Sequence, residues 1–218
     1  MSIVIHGVPP SPFVRKVRVF LAEKNVPYEL KMQQPFDKTP EYLAISPLGK
    51  IPCLQEGDFA VPDSSVICAY VERTHPEPAL YPSDPQQYAT ALFLEEYADS
   101  KLAEVIGVVF FQRAVRKFLF KQEPDEEVVT KALTESQPPV FDHLEGRLGD
   151  GAQFLVDGRF GIADIAVCAQ IAGLVHAGEA IDAGRWPKLA AYVDAIHARP
   201  SFKTCIEGEK QMFASMQA

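Results

Sequence analysis

The alternation of apolar and polar positions predicts a small α/β unit at the start of the chain. Residues 3–5 form a short apolar run typical of a buried strand, and residues 28–32 alternate as a half-buried strand does. A short helix capped by Thr39, a hairpin over residues 53–61 and a helix over residues 64–74 follow. The predicted order is βαβ, then α, then ββα.

The first helix of this unit is predicted to begin at Ser11-Pro12. Serine is a good N-cap residue, and proline is favoured at the first helical position. An apolar stripe follows at helical spacing, whereas Arg15, Lys16 and Arg18 fall on the other side of the helix. These three cations are therefore expected on a polar face, and Val19 is the exception to the apolar stripe.

Beyond a proline-rich linker at residues 78–84, the pattern is helical and contains no convincing strand. We predict a helical bundle over residues 85–218, after an α/β domain over residues 1–77. The predicted helices start near Asp84, Pro124, Gly161 and Trp186. The first should run to about Lys121. The third is apolar nearly all round and is expected at the centre of the bundle.

Composition narrows the class of protein. The chain has 218 residues, of which 47% are apolar and 23% charged, as in ordinary soluble domains. Its net charge of −8 argues against a nucleic-acid surface, and no apolar run reaches the roughly 18 residues of a membrane span. The four cysteines are scattered without metal-ligand spacing. We expect a cytoplasmic protein without metal, membrane or nucleic-acid partners.

The stretch around Pro52 has the features of a peptide-binding edge. Proline cannot donate to a sheet and takes a cis peptide bond at modest cost. A cis Ile51-Pro52 bond would turn the Ile51 backbone groups outward, where an extended peptide can pair with them. The following helix start, residues 62–65, offers backbone N–H groups and hydroxyls to an anion. The same residues also fit an ordinary hairpin that leads into a capped helix.

Ser11 is placed to act on a thiol. A thiolate at this helix start would accept a hydrogen bond from the Ser11 hydroxyl and feel the positive helix end, each worth about 1–2 kcal/mol. Together these effects would lower a thiol pKa from about 8.5 to near neutrality. Alternatively, Ser11 is only an N-cap. A serine nucleophile is not supported, because the chain has no G-x-S-x-G motif.

These motifs together resemble the cytosolic glutathione S-transferases. The resemblance rests on S-P-F-V-R-K-V-R at 11–18, L-G-K-I-P at 48–52 and D-S-S-V-I at 63–67. Residues 158–165 are similar to the capping motif of that family, with glycine where serine or threonine is usual, and residues 186–202 to its late helix. The resemblance covers essentially the whole chain. It implies a thioredoxin-like N-terminal domain, a helical-bundle C-terminal domain and a serine-type, bacterial-like member.

The resemblance also implies a glutathione site with Ser11 as the residue that activates the thiol. The residues implied to bind glutathione are Lys38, Lys50, Ile51, Pro52, Asp63 and Ser64. The main chain of Ile51 would pair with the cysteinyl part of glutathione. Asp63 and Ser64 would hold the γ-glutamyl end, and the two lysines would meet the glycyl carboxylate.

The implied activity is a glutathione transferase in which the thiolate attacks a hydrophobic or anionic electrophile, or a peroxide. The alternatives are a non-catalytic binding or regulatory protein, and a glutathione-dependent reductase or dehalogenase. The resemblance further implies a homodimer, in which Asp99 would face the partner's site or lie on a solvated helix face.

The second substrate is expected between the domains, against the long helix. Candidates for that wall, or alternatively for core packing, are Val105, Val108, Phe111, Arg113 and Phe118. The cluster of Arg113, Arg116 and Lys117 would favour an anionic electrophile or would form a solvated helix end.

Overall fold

A computed structural model describes residues 2–216 of the chain. Contacts between residues divide the chain into two compact units, Met1–Leu80 and Tyr81–Ala218. The first is a sheet with helices and the second is helical. Both expectations about fold class are therefore confirmed.

The first unit has the predicted order of elements. Its strands are β1 (Ile3–Gly7), β2 (Tyr28–Met32), β3 (Cys53–Glu56) and β4 (Phe59–Pro62), and its helices are α1 (Pro12–Glu23), α2 (Pro40–Leu43) and α3 (Ser64–Thr74). Caps fix the helix starts, because Ser11 precedes α1 and Asp63 precedes α3, and each accepts a backbone N–H.

The register of the sheet brings several chain segments to one edge. The strand order is β2-β1-β3-β4, with β1 parallel to β2 and antiparallel to β3. At this edge Gly7 is paired with Met32, and Cys53 lies near the start of β3 opposite His6 and Pro62. The ends of β1, β2 and β4 and the start of β3 therefore lie side by side.

Two loops that leave this edge are docked on each other. The Phe36 N–H donates to the Gly49 carbonyl oxygen at 2.6 Å. Gly49 has a φ of +64°, and a Cβ atom there would lie 2.5 Å from the carbonyl oxygen of Asp37. A side chain at this position would clash with that oxygen atom, and glycine adopts this backbone conformation at less cost than other residues. The contact holds the loop of residues 33–39 against the residues just before β3.

The prediction of a polar face on α1 is wrong for two of the three cations placed on it. Arg15 and Lys16 are fully buried, as is Val19. Arg15 reaches the carbonyl oxygen of Pro10 through its Nη2 atom at 3.3 Å. Residues 15, 16 and 19 lie on one side of a helix because positions three and four apart are neighbours. Val19, the exception to the apolar stripe, lies on this second buried side.

The helices of the second unit follow the predicted starts closely. They are α4 (Pro85–Tyr97), α5 (Ala103–Phe110), α6 (Glu126–Lys131), α7 (Gln137–Arg147), α8 (Ile162–His176), α9 (Pro187–His197) and α10 (Pro200–Ser215). π-Helical segments, Ala98–Leu102 and Phe111–Leu119, extend α4 and α5, so the long helix ends near its predicted end. The last helix, α10, was not predicted. Pro200 ends α9 and also begins α10 at the position where proline is favoured.

Helix α8 is the centre of the second unit, as its apolar sequence predicts. Every residue from Ile162 to Leu174 is buried. Its first turn is held by Asp164, whose carboxylate accepts the N–H groups of Gly161 and Leu155, both at 2.9 Å, and the Tyr192 hydroxyl at 2.7 Å. Asp164 thus compensates for the missing cap side chain at Gly161. Burial raises the pKa of Asp164 to about 6, although these hydrogen bonds oppose the shift.

All four cysteines are buried and none forms a disulfide. Burial raises the pKa of the Cys53 thiol to about 11 and that of the Cys168 thiol well above its usual range. These thiols are therefore poor nucleophiles. Among residues 2–216, no helix has the length and apolar character needed to cross a membrane.

We expect Asp164 to make stability depend on pH. Its native pKa of about 6 lies above its ordinary value of 3.8, so the native state binds the proton more tightly than the unfolded chain. Stability relative to Asp164→Asn should therefore fall as pH rises from about 4 to about 6, by at most about 3 kcal/mol, and stay constant above. Urea unfolding of both proteins across this range measures the difference. A pH-independent difference would show that the carboxyl titrates normally.

The docked loops predict a specific effect of Gly49→Ala. The new methyl group would meet the Asp37 carbonyl oxygen and force the loops apart. The matched control is Gly151→Ala, because Gly151 also has a positive φ but a Cβ atom there would meet nothing within 4 Å. The free energy of unfolding of the control should fall only by the cost of a left-handed backbone at a residue with a side chain, about 1–2 kcal/mol. Hydrogen exchange of the Phe36 amide should accelerate in Gly49→Ala alone; equal protection in both variants would contradict the docking.

Candidate functional site

All seven residues that the resemblance assigns to the site lie in segments that enter or leave the sheet at one edge. Ser11 follows the end of β1, and Lys38 follows the end of β2. Lys50, Ile51 and Pro52 precede β3, and Asp63 and Ser64 follow β4. The sheet register therefore brings together residues that are distant in sequence.

The backbone of Ile51 is held in place but left without a partner. The Ile51-Pro52 peptide bond is cis, as predicted. The strand hydrogen bonds of β3 begin after it, and within residues 2–216 no backbone hydrogen bond involves the Ile51 N–H or C=O. The flanking carbonyl groups are fixed: that of Lys50 accepts the hydroxyls of Tyr42 at 2.7 Å and Ser46 at 2.8 Å. This geometry offers one donor and one acceptor to an extended peptide.

Sequence reasoning missed the roles of Tyr42 and Ser46. Tyr42 is almost fully buried, and burial raises its pKa to about 12, so its hydroxyl remains a hydrogen-bond donor. Both residues lie in or just after α2, a short helix whose only sequence signal was its cap. Their bonds to the Lys50 carbonyl oxygen position the chain immediately before Ile51.

The start of α3 is less open to an anion than the sequence suggested. Asp63 occupies it, because its Oδ1 atom accepts the N–H groups of Ser65 at 3.0 Å and Val66 at 3.2 Å. Both bonds use one oxygen atom, so Oδ2 is left to face a cation. The Asp63 N–H donates to the Pro52 carbonyl oxygen at 3.3 Å. This bond fixes the α3 start beside the Ile51 backbone.

A buried cation contacts the first turn of α3. The Lys16 ammonium group donates to the Ser65 hydroxyl oxygen at 2.8 Å and lies in a fully buried side chain. Lys16 therefore connects α1, which Ser11 caps, with the start of α3. The only signal for this role was Val19, which shares a helix side with Lys16.

Ser11 has the geometry of a weak helix cap. Its Oγ atom accepts the Val14 N–H at 3.5 Å, at the long limit for a hydrogen bond. Among the described residues, no acceptor is found for the hydroxyl hydrogen of Ser11 itself. The hydroxyl is half-buried at the positive end of α1. It is therefore able to donate to an anion at this edge.

Lys38 and Lys50 are both exposed and lie on the two docked loops. The Asp37 carboxylate, which is next to Lys38 in sequence, accepts the Thr39 N–H and the Gln33 amide, each at 2.7 Å. These bonds lower the pKa of Asp37. The backbone contact between Phe36 and Gly49 brings together the two loops that carry these lysines.

The second unit changes the interpretation of the proposed substrate wall. Val105 is buried in the core, and Phe118 packs on Phe213 with ring centroids 4.9 Å apart. Arg113 forms ion pairs with Glu126, at 2.7 Å, and with Glu179. It is therefore not available as an unpaired charge for an anion. Among the described residues no group of His, Cys, Asp or Glu side chains has the arrangement of a metal site.

Comparison with curated proteins finds relatives across most of the chain. It is 29% identical to a probable glutathione S-transferase, GSTF2 of Oryza sativa subsp. japonica, over 90% of this chain and 92% of that protein. It is 30% identical to the probable glutathione S-transferase DHAR1, cytosolic, of the same organism, over 88% and 81%. It is 29% identical to the maleylacetoacetate isomerase of Pseudomonas aeruginosa, over 86% and 88%.

Solved structures and family models agree with these relatives. A glutathione S-transferase of Methylobacterium radiotolerans, in complex with glutathione sulfonate, superposes with a TM-score of 0.75 at 28% identity, covering 94% of this chain and 95% of that one. Residues 5–79 match the glutathione S-transferase N-terminal domain, and residues 110–208 match the C-terminal domain. The chain therefore belongs to the glutathione S-transferase family.

Proposed function

We propose that this protein is a glutathione transferase that binds glutathione at the sheet edge around Ile51 and activates its thiol with Ser11. The observation that carries this proposal is the unpaired Ile51 backbone, flanked by fixed carbonyl groups and surrounded by the other six candidate residues. In this arrangement the tripeptide adds a short extended segment next to β3.

Each end of glutathione would meet groups of opposite charge. Its cysteinyl residue pairs with the Ile51 N–H and C=O. Its γ-glutamyl ammonium lies near the Oδ2 atom of Asp63, and the adjacent carboxylate meets Ser64 at the positive end of α3. The glycyl carboxylate lies near Lys38 and Lys50. The docking of their loops through Gly49 supports this last assignment.

The thiol is activated because its charged form is stabilised. The Ser11 hydroxyl donates to the thiolate, and a hydrogen bond to a charged group contributes about 1.5–3 kcal/mol. The positive end of α1 adds to this effect. The thiolate then attacks an electrophilic carbon, a carbon–sulfur bond forms, and the leaving group departs with its electron pair.

The alternatives have less support. A reductase that uses a protein thiol would need a reactive cysteine, whereas position 11 is serine and the described cysteines are buried. Against a purely non-catalytic protein stands the Ser11 hydroxyl hydrogen, for which no acceptor is found among the described residues. A glutathione-dependent isomerase is the second candidate, because a relative at 29% identity is named maleylacetoacetate isomerase. It would use the same thiolate.

We also propose that the protein is a homodimer, in which the α/β unit of one copy packs on the helical unit of the other. The first unit exposes Leu48, which is 68% accessible. The second exposes a ring cluster in which Phe93, 51% accessible, lies 6.0 Å from Tyr97, and Tyr97 lies 4.9 Å from His143. Large apolar side chains grouped on a surface are typical of an interface.

Removal of the Ser11 hydroxyl should raise the thiol pKa of bound glutathione. The loss of about 1.5–3 kcal/mol corresponds to one or two pKa units, so Ser11→Ala should lower the rate at neutral pH about ten- to a hundredfold. Glutathione affinity should remain nearly intact, and much of the rate should return at higher pH. Thiolate absorbance against pH measures the shift.

The matched control for this experiment is Ser11→Thr, which keeps the hydroxyl and the helix cap. It should titrate close to the wild type. If Ser11→Ala also titrates like the wild type, Ser11 is only a helix cap and another group activates the thiol.

The dimer predicts a strong effect of a charge at position 93. Phe93→Glu would place a carboxylate in an apolar interface, so the variant should be monomeric at micromolar concentration while retaining its helical content. Val128→Glu is the control, because Val128 is also exposed but lies on α6, outside the ring cluster. Light scattering distinguishes the states. A monomeric wild type, or a dimeric Phe93→Glu variant, would contradict the proposed interface.

A further inference from the structure

His6 is a buried polar residue of the first unit that the proposed mechanism does not use. It lies on β1 with 3% of its surface accessible. In the register of the sheet it is opposite Cys53 of β3 and Lys31 of β2. Side chains of residues directly opposite each other point to the same face of a sheet. His6 therefore lies beside the first residue of β3, which directly follows Pro52.

The hydrogen bonds of His6 determine which ring nitrogen carries the proton. Its Nε2 atom lies 2.9 Å from the Gln55 side-chain oxygen, and the Gln55 amide nitrogen donates to the Gly57 carbonyl oxygen at 3.3 Å. Since Gln55 presents an oxygen atom to His6, the His6 Nε2 atom is the donor and Nδ1 carries a lone pair. Nδ1 is inaccessible to solvent and has no hydrogen-bond partner among the described residues. This environment suits a neutral ring.

The surrounding groups would not compensate a positive charge on His6. Those that titrate or carry a charge on this side of the sheet are Glu29 and Lys31 of β2, Cys53 of β3 and Tyr42 of α2. The thiol and the phenol are neutral because burial raises the pKa of Cys53 to about 11 and that of Tyr42 to about 12. Lys31 would repel a second cation, and Glu29 is in register with Val4 instead of His6.

Protonation of His6 is therefore unfavourable in the folded protein. It would place a charged N–H group at Nδ1, buried and without an acceptor among the described residues. Burial lowers the pKa of His6, the hydrogen bond to Gln55 opposes this shift, and Lys31 lowers the pKa further. Neutral His6 thus stabilises the fold above about pH 6.5, and this contribution is lost as the pH falls through the native pKa.

The residues that cover His6 also hold the backbone beside Ile51. The Tyr42 and His6 rings lie 6.1 Å apart between centres, at 40°, and the Tyr42 hydroxyl donates to the Lys50 carbonyl oxygen at 2.7 Å. The Cys53 thiol donates to a carbonyl oxygen just after α2 at 3.4 Å. A charged His6 reaches water only if α2 or the start of β3 moves. Either movement would release the Lys50 carbonyl group and change the orientation of Ile51.

We infer that neutral His6 is a positioning residue for glutathione, and that its protonation releases α2 and the start of β3 and so weakens glutathione binding at acidic pH. The inference rests on the proposed glutathione site and adds its regulation by pH. The affinity for glutathione would then depend on a side chain that does not contact the ligand.

The probe that tests this dependence is S-methylglutathione. It has no thiol to titrate, and between pH 5 and pH 7 its carboxylates stay ionised and its ammonium group stays protonated. Calorimetry should show that the affinity of the wild type falls as the pH is lowered from 7 to 5. The loss should not exceed about thirtyfold, the limit for a histidine with the ordinary pKa of about 6.5.

His6→Gln should remove this pH dependence, because glutamine keeps a donor for Gln55 but does not titrate. At pH 7 the variant should bind the probe nearly as tightly as the wild type, and at pH 5 more tightly. The matched control is His75→Gln, since His75 is an exposed histidine of the same unit. Its affinity should follow the wild type at each pH. Thermal unfolding verifies that the variants are folded, and His6→Phe replaces His6→Gln if the latter is not.

The inference is overturned if the wild-type affinity does not change between pH 7 and pH 5, or if His6→Gln keeps the same pH dependence. A loss of affinity in His6→Gln that is equal at every pH would show that His6 only packs in the core, and would overturn the inference as well. In each of these cases the proposed glutathione site stands.

If the probe binds at no pH, the proposed glutathione site has failed, and hydrogen exchange still tests the coupling. The Ser46 N–H donates to the Tyr42 carbonyl oxygen at 2.8 Å and reports on α2. Its protection, corrected for the intrinsic exchange rate, should decrease from pH 7 to pH 5 in the wild type but not in His6→Gln. Equal protection at both pH values in the wild type would overturn the release of α2.

Discussion

The candidate site depends on one constraint, the register in which β3 pairs with β1 and β4. Because β3 runs antiparallel to both, its first residues lie beside the end of each neighbour. Proline at position 52 cannot donate to a ladder, so the strand bonds begin only after it. The hydrogen bond from the Asp63 N–H to the Pro52 carbonyl oxygen then fixes the α3 start at the same place. A shift of one residue in β3 would reverse its buried and exposed faces and separate these groups.

The second unit depends on a different arrangement, a central helix whose first turn is held by a buried carboxylate. Asp164 satisfies the backbone at Gly161 and Leu155 and also accepts the Tyr192 hydroxyl from α9. One side chain therefore joins the loop before α8, the start of α8 and a later helix. Glu145 has a similar role, because its carboxylate on α7 accepts the N–H groups of Lys188 and Leu189 in the first turn of α9.

Much of the fold was predictable because its determinants are local. The caps at Ser11, Asp84 and Asp125 and the apolar period of α8 are visible in short stretches of sequence, and the helices start where these signals place them. The missed features arise from contacts between distant segments. The burial of Lys16 requires Ser65, and the pairing of Arg113 requires Glu179. Periodicity within one helix carries no information about such partners.

The candidate site also has a part that local sequence predicts and a part that depends on contacts between distant segments. The positions of Ile51, Pro52, Asp63 and Ser64 follow from motifs and strand order, so the sequence sufficed to place them. The residues that hold these four positions in place could not be identified from the sequence. Tyr42 and Ser46 donate to the Lys50 carbonyl oxygen, and the Gly49 carbonyl oxygen accepts the Phe36 N–H. No sequence pattern distinguishes this tyrosine, this serine or this glycine, because their roles depend on contacts between loops.

The most direct test of the account is a crystal structure of the protein with bound glutathione. We expect the cysteinyl N–H and C=O of glutathione to make main-chain hydrogen bonds to Ile51, with the sulfur atom within hydrogen-bonding distance of the Ser11 hydroxyl. Glutathione bound elsewhere, or a tripeptide at this edge that leaves the Ile51 backbone unpaired, would contradict it.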